Sequence, residues 1–114
     1  KMNEKLILDK IVKLNLIIVN KIINSFINVK TNIKSPNDIL IKKKKVCGIL
    51  QETLFKDENR FLIIGMGINV LNSPKIKNYP TVFLNNYSKK KIHKHQLAKK
   101  IKLEFEKNYY KFCK

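Results

Sequence analysis

The chain has 114 residues and a formal net charge of +17 at pH 7, with 25 Lys and Arg side chains against eight acidic ones. This length suits one domain rather than two, and no run of about 18 uncharged apolar residues predicts a membrane-spanning helix. The charge would favour nucleic-acid binding, but Arg60 is the only arginine, and bidentate contacts with bases and phosphates depend on arginine. The lysines are spread along the chain, so we interpret them mainly as solvated surface.

The cysteine and histidine side chains indicate neither a disulfide framework nor a metal site. Cys47 lies in an apolar run typical of a core residue, and Cys113 lies near the end of the chain. His93 and His95 lie in a lysine-rich stretch without the spacing of metal ligands. The reducing cytoplasm is therefore the expected compartment.

The first predicted element is an amphipathic helix from about residue 8 to residue 26, because its apolar side chains recur at intervals of three and four. Asp9 near its start is a candidate cap or a favourable charge for the helix dipole. An antiparallel meander follows, with strands predicted at residues 29–34, 39–41, 45–55 and 60–70 and turns at 35–38, 42–44 and 56–59. Residues 71–94 are predicted to form a long loop, and residues 95–112 a closing helix. A helix, a sheet and a helix predict an α+β fold.

Two local patterns near the middle of the chain contain residues that could take part in binding or catalysis. At residues 34–38, Lys34 precedes a Ser-Pro-Asn-Asp turn, which would place a cation, an amide and a carboxylate at one sheet edge. Gly48 lies inside a predicted strand, where glycine costs roughly 1 kcal/mol of propensity and often marks the close approach of a ligand or another backbone. Taken singly, the first also fits a capped turn and the second a bulge.

The third pattern, Gly65-Met66-Gly67-Ile68-Asn69-Val70, ends the last predicted strand. Its glycines would let a flat ligand lie against the main chain. Asn69 offers both a donor and an acceptor, which suits an adenine edge. No helix follows at the spacing of a dinucleotide-binding motif, so a Rossmann fold is rejected.

In this order and spacing, the three patterns resemble the biotin–protein ligase family. They are Lys-x-Pro-Asn-Asp-Ile-Leu, Lys-x-x-Gly-Ile-Leu-x-Glu and Ile-Gly-x-Gly-Ile-Asn-Val, within residues 33–70, with a weaker match at 79–84. The resemblance implies a mixed or antiparallel sheet flanked by helices, related to class II aminoacyl-tRNA synthetases and lipoate ligases. It implies ATP-dependent attachment of biotin to a lysine of the biotin carboxyl carrier domain of acetyl-CoA carboxylase, through biotinyl-5′-AMP and with Mg²⁺ present.

The same resemblance assigns roles to individual residues. Lys45 corresponds to the family's lysine that reaches the biotin carboxylate and the α-phosphate, and Gly48 and Gly65 to positions where strand backbone packs on biotin. Asp38 corresponds to an acid that would organise a metal ion or the incoming lysine, whereas Glu52 fits a solvated strand residue better than a supporting role. The nucleotide side of the pocket is assigned to Lys34, Asn37, Gly67, Ile68 and Asn69.

The sequence departs from the family pattern at two positions within the matched segment and lacks two of the family's other segments. Ser35 stands where the family usually has Trp, and Cys47 replaces a small Ala. The family's upstream Gly/Arg-rich loop and its following small barrel have no counterpart, so residues 1–114 are expected to be part of a catalytic domain and nearly inactive alone. We expect no nucleic-acid or membrane partner, and a homodimer stays open. The alternatives are a lipoate–protein ligase relative, a basic nucleic-acid-binding module and a degenerate remnant.

Overall fold

The chain forms a four-stranded sheet packed against helices. The structure is a computed structural model that describes residues 4–75, 77 and 80–109, without the side chains of residues 4–7. Its elements are helix α1 (Glu4–Phe26), strands β1 (Thr31–Lys34), β2 (Asp38–Ile41), β3 (Lys44–Lys56) and β4 (Asn59–Ile68), a 3-10 helix (Leu84–Tyr87) and helix α2 (Lys94–Tyr109). The strands pair antiparallel in the order β1-β2-β3-β4. The predicted α+β fold with an antiparallel sheet is confirmed.

Helix α1 supplies much of the core. It begins at Glu4, so Asp9 lies inside the helix and the predicted cap at Asp9 was wrong. Its apolar face is wide, because side chains at successive positions are also buried. Burying each such aliphatic side chain contributes about 1.5–3 kcal/mol. The buried aliphatic side chains of this helix are Leu16, Ile18, Val19, Ile22 and Ile23, and they pack on the strand residues Ile39, Ile41, Val46 and Ile49.

The β2–β3 hairpin and the β3–β4 hairpin each turn through two residues in the left-handed region. Lys42 and Lys43 have φ values of 50° and 66°, and Asp57 and Glu58 have φ values of 53° and 65°. Two consecutive left-handed residues give a turn whose twist matches that of the flanking strands. The tip predicted at residues 42–44 is therefore one residue shorter, and Lys44 already belongs to β3.

A bulge in β3, close to the β2–β3 turn, changes the face of the sheet from which the neighbouring side chains project. Ile39 pairs with Cys47 while the next residue of β2, Leu40, pairs with Lys45, so Val46 is an additional residue in β3. On a regular strand, side chains three positions apart point to opposite faces of the sheet. The extra residue reverses this relation, so Lys45 comes to lie on the same face as Gly48.

The segment predicted as a long loop contains regular structure in its second half. It holds the 3-10 helix at Leu84–Tyr87 and an isolated parallel bridge between Lys45 and Thr81. The Lys45 N–H donates to the Pro80 carbonyl at 3.0 Å, and the Val82 N–H donates to the Lys45 carbonyl at 2.9 Å. Residues 80–82 therefore lie along β3 as a short edge segment.

The closing helix α2 begins one residue before the predicted start at residue 95, and its Leu97 is buried against the core. Tyr79, the predicted helix end at residues 110–112 and Cys113 lie outside the described residues. Within the described part of the chain, neither helix combines the length and apolar character that crossing a membrane requires.

Candidate functional site

A cleft of about 760 Å³ opens on one face of the sheet, bounded by the turn before β2, the strands β3 and β4, and the segment at residues 74–81. Cavities that hold small molecules have about this volume. The residues that line it are Asn37, Asp38, Lys45, Cys47, Gly48, Ile49, Leu50, Gly65, Gly67, Asn69, Pro74 and Thr81.

The chain's three glycines form one surface of this cleft, which we call the glycine floor (Gly48, Gly65 and Gly67). Gly48 pairs with Gly67, and Leu50 pairs with Gly65, across β3 and β4. Paired residues project from the same face of a sheet, so the three glycines expose adjacent backbone. A Cβ atom built on Gly67 would meet nothing within 4 Å, and one on Gly65 only the Leu50 carbonyl at 3.8 Å. Packing within the described chain therefore leaves that space open to a ligand.

A cation and a carboxylate meet at the β2 end of the glycine floor. The Lys45 Nζ lies 3.3 Å from the Asp38 Oδ1, and the two side chains are 33% and 20% exposed. A pair that water reaches is screened and contributes only about 0.2–1 kcal/mol. Water, and therefore an incoming anion, can reach the Lys45 ammonium in this pair.

Cys47 lies beneath this pair as a core residue. Its side chain is 1% exposed, which confirms the prediction of a core position. Burial raises the pKa of the Cys47 thiol from 9.0 to about 12, with nearby Lys45 lowering the pKa and Asp38 raising it by smaller amounts. The thiol is neutral at neutral pH, so it is a poor nucleophile.

Asn69 ties the end of β4 to the segment that borders the cleft. Its side-chain Nδ2 donates to the Val82 carbonyl at 3.1 Å. Its backbone N–H donates to the Val46 carbonyl, and its carbonyl accepts from the Leu84 N–H, both at 2.9 Å. The amide donor that was expected to meet an adenine edge therefore has a structural use, which the sequence pattern did not indicate.

The structure brings seven of the nine predicted site residues to one cleft. Lys34 is exposed at the end of β1 and does not line the cleft. Ile68 pairs with Cys47 and borders a separate depression next to Leu97 of α2, on the opposite face of the sheet. The alternation of a strand already predicts this for Ile68, which is one residue out of phase with the two glycines before it. The seven residues are Asn37, Asp38, Lys45, Gly48, Gly65, Gly67 and Asn69.

Other residues of the cleft were missed because they come from segments without a clear pattern. Pro74 and Thr81 border the cleft from the predicted loop, and only the bridge to Lys45 places Thr81 there. Glu52 is exposed and lies beyond the cleft, in agreement with a solvated strand residue. Among the described residues, no group of three or more His, Cys, Asp or Glu side chains could hold a metal ion.

Comparison with known proteins assigns the chain to a family of ligases. The sequence model of the "Biotin/lipoate A/B protein ligase family" matches residues 4–69. The match covers more than half of the chain, so the chain belongs to this family.

Within the family, the chain is similar to biotin–protein ligases. It is 40% identical over 87 residues to the "Bifunctional ligase/repressor BirA" of Bacillus subtilis (strain 168), which is 71% of this chain and 26% of that protein. The apo biotin protein ligase of Aquifex aeolicus superposes with a TM-score of 0.71 at 28% identity, over 92% of this chain and 47% of that one. The structure of the same ligase in complex with biotin and ATP gives a TM-score of 0.67 at 29% identity, over 89% and 44%.

The chain thus spans about a quarter of the length of the curated relative and less than half of these solved chains. The resemblance to biotin–protein ligases that the three sequence patterns indicated is confirmed.

Proposed function

We propose that this chain forms the anion-binding part of a site that activates biotin with ATP and passes it to a lysine of a biotin carboxyl carrier domain. The observation that carries the proposal is the Lys45 ammonium at one end of the glycine floor, in a cleft large enough for a small molecule. A similar ligase with biotin and ATP bound supports the choice of ligands. The chain spans only part of the length of its relatives. The complete ligase activity is therefore proposed for the whole protein and not for this chain alone.

In the first step, a carboxylate oxygen of biotin attacks the α-phosphorus of ATP. An oxygen–phosphorus bond forms, the bond to the β-phosphate breaks, and pyrophosphate leaves with its electron pair. Two negatively charged groups must approach each other, so a cation between them lowers the barrier. A unit charge about 4 Å from an anion interacts by about 4 kcal/mol at an effective dielectric of 20. We assign this role to Lys45.

In the second step, the neutral amine of the carrier lysine attacks the acyl carbon of biotinyl-5′-AMP. An amide bond forms, the acyl–phosphate bond breaks, AMP leaves as an anion that Lys45 again neutralises, and the proton lost by the attacking amine passes to water. The bare backbone at Gly65 and Gly67 leaves room for the fused rings of biotin and its acyl chain. We place the adenosine toward Asn37 and Asn69, the two amide side chains among the residues that line the cleft.

Mg²⁺ fits this site only as a companion of the nucleotide. Mg²⁺ is commonly bound through one or two carboxylates together with substrate phosphates. Asp38 is the one carboxylate that the described residues place at the cleft, and it is paired with Lys45. We therefore propose that phosphate oxygens supply most of the ligands of the ion.

Binding of a hydrolysis-resistant analogue of biotinyl-5′-AMP to the 114-residue chain tests the proposal by calorimetry. We expect Lys45→Ala to weaken binding by about tenfold to a hundredfold, which corresponds to about 1.4–2.8 kcal/mol. The matched control is Lys44→Ala, which removes the same charge from the exposed neighbour in β3 and should leave the affinity within about twofold. No measurable binding, or equal losses in both variants, would contradict the proposal.

A lipoate-attaching activity is the second candidate, because the matching family includes lipoate ligases. The cation and the glycine floor suit any acyl-adenylate with a slender acyl chain, so they do not separate the two substrates. Competition between biotin and lipoate for the chain distinguishes them. The similarity to biotin–protein ligases leads us to expect preference for biotin, and preferential displacement by lipoate would favour the second candidate.

A further inference from the structure

Gly48 differs from the other two glycines of the floor in what a side chain there would meet. A Cβ atom built on Gly48 would lie 2.9 Å from Cε and 3.0 Å from Nζ of Lys45, and 3.7 Å from Oδ1 of Asp38. Distances under 3.0 Å essentially do not occur for real Cβ atoms. The space that a ligand would use at Gly67 is therefore used at Gly48 by the chain's own lysine.

The bulge in β3 creates this contact. If residues 45–48 alternated as in a regular strand, Lys45 would project from the face opposite to Gly48. With the bulge, the lysine stem runs across the bare backbone at Gly48. Asp38 is the cross-strand partner of Gly48, so its carboxylate meets the ammonium at the point where the stem ends.

We propose that Asp38 and Gly48 form a lysine seat, in which Gly48 is a positioning residue that lets the Lys45 side chain lie flat and Asp38 retains its ammonium beside the floor. Only the consequence of the seat for ligand binding rests on the proposed function. The seat itself is a property of the ligand-free chain. It assigns Asp38 to the lysine rather than to a metal ion, and it leaves Gly65 and Gly67 as the part of the floor that meets ligand.

The seat makes a specific prediction for Gly48→Ala. The two atoms that the new methyl group would meet are the far end of a flexible side chain, so the fold can accept alanine if the lysine rotates away. Lys45 should then leave Asp38 while the sheet stays paired. Gly67→Ala is the matched control, because its methyl group would meet nothing within 4 Å.

Proton NMR of the ligand-free chain tests the seat directly. We expect a cross-relaxation peak between the Lys45 ε-methylene and the Gly48 α-protons in the parent chain and in Gly67→Ala. In Gly48→Ala, the peak between the ε-methylene and the α-proton of the substituted residue should be lost. A Lys45 ε-methylene that stays next to residue 48 in Gly48→Ala would overturn the proposal.

The analogue of biotinyl-5′-AMP then shows how Gly48 acts. If Gly48 acts only through Lys45, Gly48→Ala should weaken binding about tenfold in the parent chain and change it less than about twofold in a Lys45→Ala background. If Gly48→Ala weakens binding by the same factor in both backgrounds, residue 48 meets the ligand itself, and the positioning role is overturned. If the parent chain does not bind the analogue, the proposed function fails while the NMR result still decides on the seat.

Thermal unfolding covers the case in which Gly48→Ala does not fold. The Lys45→Ala background removes both atoms that the methyl group would meet closely. Recovery of folding in the double variant supports the seat, because it identifies the lysine as the obstacle. Failure to fold in both backgrounds would overturn the seat, since another group would then be the obstacle.

Discussion

Asn15 joins three elements of the fold through its buried amide. Its side chain on α1 is fully buried and donates from Nδ2 to the Gln51 Oε1 of β3 at 2.7 Å. Its Oδ1 accepts from the hydroxyl of Tyr109 on α2. Gln51 in turn donates to the Val12 carbonyl at 3.2 Å. Removal of the Asn15 amide should therefore loosen both helices from the sheet at once.

Asn15→Ala removes two hydrogen bonds, each with a net contribution of about 0.5–1.5 kcal/mol. The variant also leaves part of the amide's volume empty, so we expect the free energy of unfolding to fall by about 2–3 kcal/mol. A domain of this size loses about 4–8 °C of Tm for each kcal/mol, so the expected decrease in Tm is about 8–24 °C. Urea unfolding followed by circular dichroism measures the change, with an unchanged slope against denaturant.

Asn32→Ala is the control, because Asn32 is exposed on β1 and its loss should change stability by less than about 0.5 kcal/mol. A double-mutant cycle with Gln51→Ala should give a coupling energy of about 0.5 kcal/mol or more. If Asn15→Ala is as mild as Asn32→Ala, the buried amide does not hold the helices to the sheet.

Three further outcomes concern pH, a turn and the segment beside the cleft. Because the pKa of Cys47 rises from 9.0 to about 12 on folding, the neutral thiol contributes its full stability below pH 9 and loses it as the pH rises toward 12. In Cys47→Ala, the unfolding free energy should therefore fall less steeply with pH over this range, by up to about 1.4 kcal/mol per pH unit. Equal slopes against pH for the parent chain and the variant, measured by urea unfolding, would contradict this prediction. Glu58→Gly should raise the unfolding free energy by about 0.5–1 kcal/mol, because Glu58 has a φ of 65°, and a decrease would show that the turn is not strained there. Leu84→Ala should cost about 2–5 kcal/mol, since Leu84 is fully buried, whereas Leu71→Ala at a 56% exposed side chain should cost less than about 0.5 kcal/mol in the same urea assay.

Local periodicity in the sequence was enough to determine the elements and a small part of the site. Apolar spacings of three and four predict both helices, and the turn signals between apolar runs predict the order of the four strands. Gly65 and Gly67 are two residues apart on one strand, so strand geometry alone places both on one face. The family resemblance, which covers residues 33–70, added Lys45 and Gly48 to the same site. These inferences succeed because each depends on neighbours in the chain.

The tertiary structure decided what depends on pairing between distant segments. The bulge at Val46 places Lys45 and Gly48 on one face, although their spacing in a regular strand predicts opposite faces. The bridge to Thr81 turns part of a predicted loop into a wall of the cleft, and Asn69 uses its amide to hold that wall. Register shifts and edge contacts are set by packing against residues far along the chain, so no local pattern encodes them. The sequence by itself therefore identified seven residues of the cleft, and only the folded chain added Pro74 and Thr81 and decided which of these residues face one another.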